Sequence, residues 1–245
     1  MRIGRSITFV FRDRESIGKL LRGGGYGMLF FTGFFTFVTA GYLTRLMCDL
    51  LEGRDASLPE WRPLQELFSE GLQPVLILLV YTSPAVLTAI VSLYVAPPYM
   101  GFLQLSFLVL ASLLLPVALI HFVTTRSLKR ALQLPATIAF IVENAGHFFR
   151  AWLVYGILAI AAFLVCCLVC VAVAIPASLV LDDRTGILTG LAVGGVVACF
   201  VGFLLHVIAT HLFAQAYRSS KPFEDDPDGE MRASIVVPPS LKGRE

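Results

Sequence analysis

Long uncharged stretches, separated by short polar connections, make up most of the chain. Four of them are long enough for a helix to cross the ~30 Å hydrocarbon core of a bilayer, which takes about 20 residues. The first two and the last two are each joined by a short turn, so the pattern predicts two helical hairpins in an all-α, polytopic membrane protein. The four predicted full spans are Leu72–Val95, Gly101–Val123, Ala151–Leu181 and Gly186–Phe213.

A fifth apolar stretch, Tyr26–Thr44, is borderline in length and contains several glycines. It either crosses the membrane once, as a fifth span, or dips in and returns. A re-entrant segment is favoured, because it puts the basic connections together on the cytoplasmic side and leaves the two short turns outside. A cleaved signal peptide ending near Ala40 is disfavoured, since the helical pattern continues to Leu51. We therefore expect a protein of the cell membrane with both termini in the cytoplasm.

The connections 45–71 and 124–150 carry amphipathic patterns that predict helices lying at the membrane surface. Ser57 and Glu60 fit a capping box, so one surface helix is expected to begin there, with Trp61 as its anchor at head-group level. These interfacial amphipathic helices complete the expected fold.

Residues 1–218 are expected to form one integral membrane domain. From 219 to 245 the chain is polar and rich in proline and acidic residues, which predicts a disordered tail. The triplet Leu-Val-Tyr occurs at 79–81 and at 153–155, each time where a surface helix leads into a span, and indicates a weak internal repeat of 41–124 and 125–218.

Small residues recur at every fourth position on both arms of the second hairpin. Such ridges let two helix backbones approach closely in lipid. Folding the hairpin at 182–185 puts Ser178 level with Gly190 and Ala174 level with Gly194. The residues predicted to pack the helices together are Cys166, Cys170, Ala174, Gly190, Gly194, Ala198 and Gly202.

Four cysteines of the second hairpin, Cys166, Cys167, Cys170 and Cys199, fall at similar depth and could form a thiolate cluster for zinc, Cu(I) or iron–sulfur. The alternative is that they act as small apolar fillers of the ridge. Packing is favoured, because thiolates in mid-membrane are costly unless fully compensated. No metal or cofactor is therefore expected.

Composition narrows the function further. The chain is 57% hydrophobic and 15% charged, well below the ~25% charged residues of soluble domains. A net charge of +2, without a basic run interleaved with aromatics, gives no indication of nucleic-acid binding. No catalytic triad, zinc-protease motif, phosphate-binding loop or carboxylate pair appears in motif context, so an enzyme is not expected.

Two stretches resemble conserved motifs of domain-of-unknown-function family 4013, a group of bacterial and archaeal membrane proteins. The opening motif comprises 41–46 (GYLTRL), 51–53 (LEG) and 58–61 (LPEW), and the closing motif 209–218 ends in QAYR. The resemblance covers roughly residues 16–218 and implies a prokaryotic membrane protein without an established activity. These motif regions supply the predicted lipid or partner surface, in which Arg45 and Arg218 are expected to pair with Asp49 or Glu52. The surface residues are Arg45, Asp49, Glu60, Trp61, His211 and Arg218.

Two functions remain open. In the first, the protein is a non-enzymatic membrane protein that acts through contacts with lipids, a second copy of itself or another membrane protein. In the second, it is a transporter or lipid-handling permease with a cavity between the two hairpins. Pro84 and Pro116 fall at similar depth in the first hairpin, where freed carbonyls either line such a cavity or are satisfied by neighbouring helices.

Overall fold

The computed structural model describes residues 9–10, 15–29, 33–54, 58–61, 63–95, 99–180 and 182–220. Within these ranges the chain forms eight helices of four residues or more, and no strand. The predicted disordered tail lies outside the described residues from position 221 on. The helices are α1 Ser16–Met28, α2 Phe34–Leu51, α3 Leu64–Tyr94, α4 Met100–Thr125, α5 Leu128–Ala131, α6 Leu134–Glu143, α7 Ala145–Val180 and α8 Asp183–Ser220.

Five of these helices, α2, α3, α4, α7 and α8, are long and apolar enough to cross a membrane. The last four correspond to the four predicted spans and form two antiparallel hairpins, α3–α4 and α7–α8. The all-helical fold and the set of apolar helices fit a multi-pass membrane protein.

The N-terminal apolar stretch Tyr26–Thr44 is not one element. Helix α1 ends at Met28 and α2 begins at Phe34, after Gly33 adopts a φ of 73°. That left-handed conformation suits glycine and lets the chain reverse direction. The ring of Tyr26 stacks on Phe35 with centroids 5.0 Å apart, beside the break, so α1 and α2 fold back on each other. The sequence pattern missed the break because apolar residues run through it.

The predicted surface helix at 57–72 is wrong. Residues 58–61 are not helical, and α3 begins at Leu64 and continues without interruption to Tyr94. Pro63 at the N-cap explains the later start, because proline disfavours helical conformation in the residue before it. Ser57, the predicted cap, lies outside the described residues. From Leu64 on, the expected surface helix is thus the first part of α3 and continuous with the predicted span.

Helices α1 and α2 pack against both hairpins. In α2, Gly41 lies against the backbone of α3, where an added Cβ would overlap the Leu67 carbonyl. Helix α1 lies against α8, where Gly23 and Gly24 leave room for the rings of Phe203 and Phe200. The absent side chains allow these close approaches.

The C-terminal ends of α2, α4 and α8 meet at one end of the bundle. There Arg126 Nη2 donates to Cys48 Sγ at 3.2 Å, and Arg218 Nη1 donates to the Leu50 carbonyl at 3.4 Å. The buried core lies towards this end, and the far halves of both hairpins have apolar exposed surfaces. In α7 the buried residues are Phe148 and Ala151, both near its beginning.

The short helices α5 and α6 fold back against α3, α4 and α7. The Tyr81 hydroxyl of α3 donates to the Ala131 carbonyl at 2.9 Å, and Thr137 is fully buried beside it. Phe140 packs against His121 with ring centroids 5.4 Å apart. This connection is therefore held to the helix bundle on one face.

The pairing of α7 with α8 differs from the predicted register. An added Cβ on Gly186 would lie 2.5 Å from Ser178 N, and one on Gly190 would lie 2.6 Å from Ala174 Cβ. Gly194 in turn faces Cys170. Each pairing is thus one helical turn away from the prediction, because α7 runs to Val180 and α8 begins at Asp183, which makes the turn tighter than expected.

Candidate ligand cavity

A cavity of about 490 Å³ lies among α1, α2, α3, α4, α7 and α8. Helix α2 forms one wall with residues such as Ala40 and Leu43, and α4 forms another with Leu115 and Leu119. The second hairpin closes the remaining side with residues of α8 and with Tyr155 of α7. The space therefore lies between the two hairpins, against the α1–α2 pair.

Proline residues border the cavity, although one of them is not the predicted one. Pro116 of α4 lines it as expected, but the proline contributed by α3 is Pro74 and not Pro84. Because proline has no N–H, Pro116 cannot donate to the Ser112 carbonyl one turn earlier. Ser112 also lines the cavity, so this part of α4 has more polar character than its sequence suggests.

The lining is predominantly apolar, and among its described residues there is no Asp, Glu, Lys or Arg. Its polar side chains are hydroxyls, one imidazole and one thiol. The hydroxyls of Thr44 and Thr210 donate to carbonyls of their own helices at 2.8 Å. Ser112 Oγ donates to the Val109 carbonyl and accepts a long hydrogen bond from Trp152 Nε1 at 3.4 Å.

His206 of α8 and Tyr155 of α7 also present polar groups to the lining. His206 Nδ1 lies 2.7 Å from the Gly202 carbonyl, and a carbonyl oxygen can only accept, so Nδ1 carries the proton. In the neutral ring, Nε2 is then an acceptor. Within the described ranges, neither His206 Nε2 nor the Tyr155 hydroxyl has a hydrogen-bond partner in the protein. The sequence pattern placed neither residue at a binding site, because each is a single polar ring within a long apolar stretch.

The small-residue ridge of α8 divides between packing and cavity. Gly190 and Gly194 are buried against α7, opposite Ala174 and Cys170. Ala198 and Gly202, predicted to continue the ridge, line the cavity instead. An added Cβ at Gly202 would meet nothing within 4 Å. The structure gives no contact from Cys166 to Gly202, the predicted pair.

The cysteines of the second hairpin likewise differ in whether they pack between helices, line the cavity or are exposed. Cys170 faces Gly194, Cys199 lines the cavity and Cys167 is exposed. In the part of the chain that the structure describes, no three His, Cys, Asp or Glu side chains come together as a group that could hold a metal ion.

The predicted pairing of Arg45 with Asp49 or Glu52 is wrong. Arg45 forms a two-pronged ion pair with Glu70 of α3, with Nε 3.0 Å from Oε2 and Nη2 against Oε1. Asp49 and Glu52 both bind Arg54 instead, at 2.7 and 2.6 Å. The close crossing of α2 and α3 explains the difference, because it brings Glu70 opposite Arg45, a relation that sequence spacing does not reveal.

The remaining residues of the predicted surface do not form one exposed patch. His211 is buried, with 1% of its surface exposed, and its ring stacks on Phe9 with centroids 4.7 Å apart. Trp61 is half-buried and stacks on Tyr42 with ring centroids 4.2 Å apart. Glu60 and Arg218 are exposed. His211 and Trp61 were misplaced because the second half of α8 lies against the core and residues 58–61 fold onto α1 and α2.

Comparison with protein families gives one match. The family described as "Protein of unknown function (DUF4013)" matches residues 26–171, from the end of α1 through most of α7. The matched range contains the opening motif at 41–61, and the closing motif at 209–218 lies outside it. Among curated proteins and among solved structures, nothing matches the chain.

Proposed function

The chain belongs to the DUF4013 family of proteins of unknown function, and from its cavity we propose that it is a non-enzymatic, multi-pass membrane protein that holds a lipid-like ligand between its two hairpins. The observation that carries this proposal is the cavity itself. Its volume of about 490 Å³ falls within the range of roughly 300–1,000 Å³ typical of small-molecule sites, and its lining is mostly apolar.

The arrangement of the hairpins supports access from the lipid phase. Helices α4 and α7 border the cavity but do not pack along their lengths; Ser112 and Trp152 provide a contact between them. Beyond this contact, α4 exposes Leu105 and Leu108, and α7 exposes Ile157 and Ile160. A ligand with an acyl chain can therefore enter sideways between α4 and α7 without crossing a polar surface.

We also propose that α1 and α2 form a re-entrant pair, with both termini in the cytoplasm of a prokaryotic cell. The fold-back at Gly33 and the meeting of the α2, α4 and α8 ends support this topology. Reporter fusions at residue 55 and at the C-terminus test it. Both are expected to report a cytoplasmic location, and an external location of residue 55 would contradict the re-entrant model.

A second candidate is a scaffold that binds another copy of itself or a different membrane protein. The long exposed apolar face of α7 favours it, since the buried residues of this 36-residue helix lie at its start. Native mass spectrometry from detergent distinguishes the two functions. A stable protein oligomer without retained lipid would favour the scaffold.

The cavity proposal is tested with two glycine substitutions in α8. Gly202 lines the cavity and has open space around it, so Gly202→Phe is expected to fill the cavity without disturbing the packing. Gly195→Phe is the matched control, because Gly195 is exposed, also has open space around it and does not line the cavity.

We expect purified wild-type protein and Gly195→Phe to retain lipid in native mass spectra, and Gly202→Phe to lose most of it. Thermal unfolding of the three proteins checks that they are folded. Equal lipid retention by the two variants would contradict a ligand site in this cavity.

A further inference from the structure

We propose that the ligand of this cavity is an uncharged lipid alcohol, whose hydroxyl binds between Tyr155 and His206. This inference rests on the proposed function and specifies the head group of the ligand. It follows from the unpartnered polar groups of Tyr155 and His206, which belong to the two arms of one hairpin, and from the absence of Asp, Glu, Lys and Arg among the described lining residues.

The ligand must supply hydrogen-bond partners to both side chains. Because His206 Nδ1 donates to the Gly202 carbonyl, His206 Nε2 can only accept in the neutral ring. The Tyr155 hydroxyl can donate. A single alcohol satisfies both groups, since its hydrogen is donated to Nε2 and its oxygen accepts from Tyr155. A carbonyl, ether or ester oxygen has no proton for Nε2.

The register of α7 against α8 gives the relative depth of the two rings. The pairings Ala174 with Gly190 and Cys170 with Gly194 advance by four residues on each helix. Continued along the antiparallel pair, this register brings His206 level with Leu158, one turn from Tyr155. Three residues correspond to about 4.5 Å along a helix axis. Both rings therefore belong to the same level of the cavity, within reach of one head group.

An anionic head group would lack a cationic partner in this cavity. A phosphate head group needs cationic partners when it leaves water, since an uncompensated ion in an apolar site is strongly disfavoured. The described lining residues include no Lys or Arg, and the basic side chain of α2, Arg45, is paired with Glu70 outside the lining. The cavity is therefore matched to a neutral head group and not to a phospholipid.

The probes are three lipids with the same two oleoyl chains: 1,2-dioleoylglycerol, its 3-O-methyl ether and dioleoylphosphatidic acid. In the ether a methyl group replaces the donor proton of the alcohol, and the phosphatidic acid differs from both by its charge. Competition in detergent micelles, read by native mass spectrometry, gives their relative affinities. We expect wild-type protein to prefer the alcohol over the ether by about tenfold, the effect of losing one buried hydrogen bond, and to bind phosphatidic acid most weakly.

Two variants test whether Tyr155 and His206 cause the preference for the alcohol. In Tyr155→Phe/His206→Leu, alcohol and ether are expected to bind equally, because neither has a polar partner left at this level while the apolar walls remain. Tyr94→Phe makes the same chemical change at an exposed position outside the cavity and is expected to keep the wild-type preference. The double variant also shows that a lost preference is not a loss of folding, since it still binds the ether.

The outcomes separate the two proposals. Equal binding of alcohol and ether by wild type, tighter binding of phosphatidic acid, or a preference that persists in the double variant would overturn the head-group inference, while the lipid-binding function stands. If none of the three lipids binds, the proposed function itself fails, and this inference fails with it.

Discussion

Gly41 of α2 and Gly71 of α3 face each other where the two helices cross with their backbones in contact. An added Cβ on Gly41 would overlap the Leu67 carbonyl, and one on Gly71 would overlap the Phe37 carbonyl and lie 2.9 Å from Gly41 N. The obstructing atoms belong to the backbone, so no side-chain rotation can relieve them. This crossing holds α2, and with it one wall of the cavity, against the first hairpin.

We predict that Gly71→Ala lowers the free energy of unfolding by about 1–3 kcal/mol, the usual cost of overpacking a tight contact. The higher helix propensity of alanine offsets part of this, by up to ~1 kcal/mol. Gly156→Ala is the control, because the site has open space and is expected to be neutral or slightly stabilised. Thermal unfolding in detergent measures both, and equal midpoints would refute a backbone contact at the crossing.

The Arg45–Glu70 pair gives a second prediction. Glu70→Gln leaves the largely buried Arg45, whose side chain is 15% exposed, without its counter-charge. We expect a loss of about 1–3 kcal/mol, below the 3–5 kcal/mol seen when a fully buried pair is broken, because the Glu70 side chain is 37% exposed and partly screened. Chemical denaturation monitored by circular dichroism provides the measurement.

Two further variants test whether the loss of stability in Glu70→Gln comes from a buried, unpaired charge. Arg54→Gln breaks ion pairs in which the Arg54 side chain is 62% exposed and should cost less than about 1 kcal/mol. Arg45→Met/Glu70→Met removes both charges and should recover most of the stability that Glu70→Gln loses. If Arg54→Gln is as costly as Glu70→Gln, burial is not what makes the Arg45–Glu70 pair important.

The register of the second hairpin is tested at Gly190. Its added Cβ would lie 2.6 Å from the Cys170 carbonyl oxygen and 3.1 Å from Ala174 Cα, so Gly190→Ala is expected to push α7 and α8 apart and to cost about 1–3 kcal/mol. Gly195→Ala, five residues along the same helix, has open space and serves as the control. A melting temperature lowered in both variants alike would argue against this register.

Asp182, in the turn between α7 and α8, gives a pH-dependent prediction. Hydrogen bonds from the Thr185 side chain and from its backbone N–H, the latter 3.0 Å from Asp182 Oδ1, hold the pKa of the Asp182 carboxyl below its ordinary value of 3.8. A lowered folded-state pKa means that the cap stabilises the turn at pH values above the unfolded pKa. That contribution is lost as the pH falls through the folded pKa.

In the NMR titration of wild type, we expect the Thr185 amide resonance to shift with a midpoint below 3.8. In Asp182→Asn the new side-chain amide oxygen can still accept the hydrogen bond, but this side chain does not titrate. The pH-dependent shift of the Thr185 backbone amide resonance should therefore disappear. A midpoint above 3.8 in wild type, or an unchanged titration in the variant, would contradict the capping role.

Hydropathy was sufficient to predict the helical hairpins, because about 20 consecutive apolar residues admit few alternatives to a membrane helix. It could not locate the break between Met28 and Phe34, since the sequence around it is apolar and hydropathy does not reveal the positive φ of Gly33. Nor could it place the start of α3, where Pro63 overrides the capping signal at Ser57 and Glu60. The capping motif was therefore a weaker indicator of where α3 begins than Pro63.

The cavity was harder to predict than the fold. Two of its polar side chains, Tyr155 and His206, come from opposite arms of a hairpin, and the observed register brings them closer in depth than the predicted one. The partner of Arg45 likewise depends on the crossing at Gly41 and Gly71, which involves residues far apart in the sequence. The residues that pair across two packed helices change when one helix shifts by a single helical turn. An uncertain loop length introduces an error of that size.

The chain contains two tryptophans, and both lie at contacts next to the cavity. Trp61 stacks on Tyr42 and lies 6.0 Å from the ring of Phe203, a lining residue, while Trp152 donates to Ser112 on the opposite side. The indole fluorescence of the unmodified protein therefore originates from the two sides of the cavity. Its emission maximum and its quenching by brominated lipids can follow occupancy in a bilayer without a label, and the variants Trp61→Phe and Trp152→Phe assign the signal to each side.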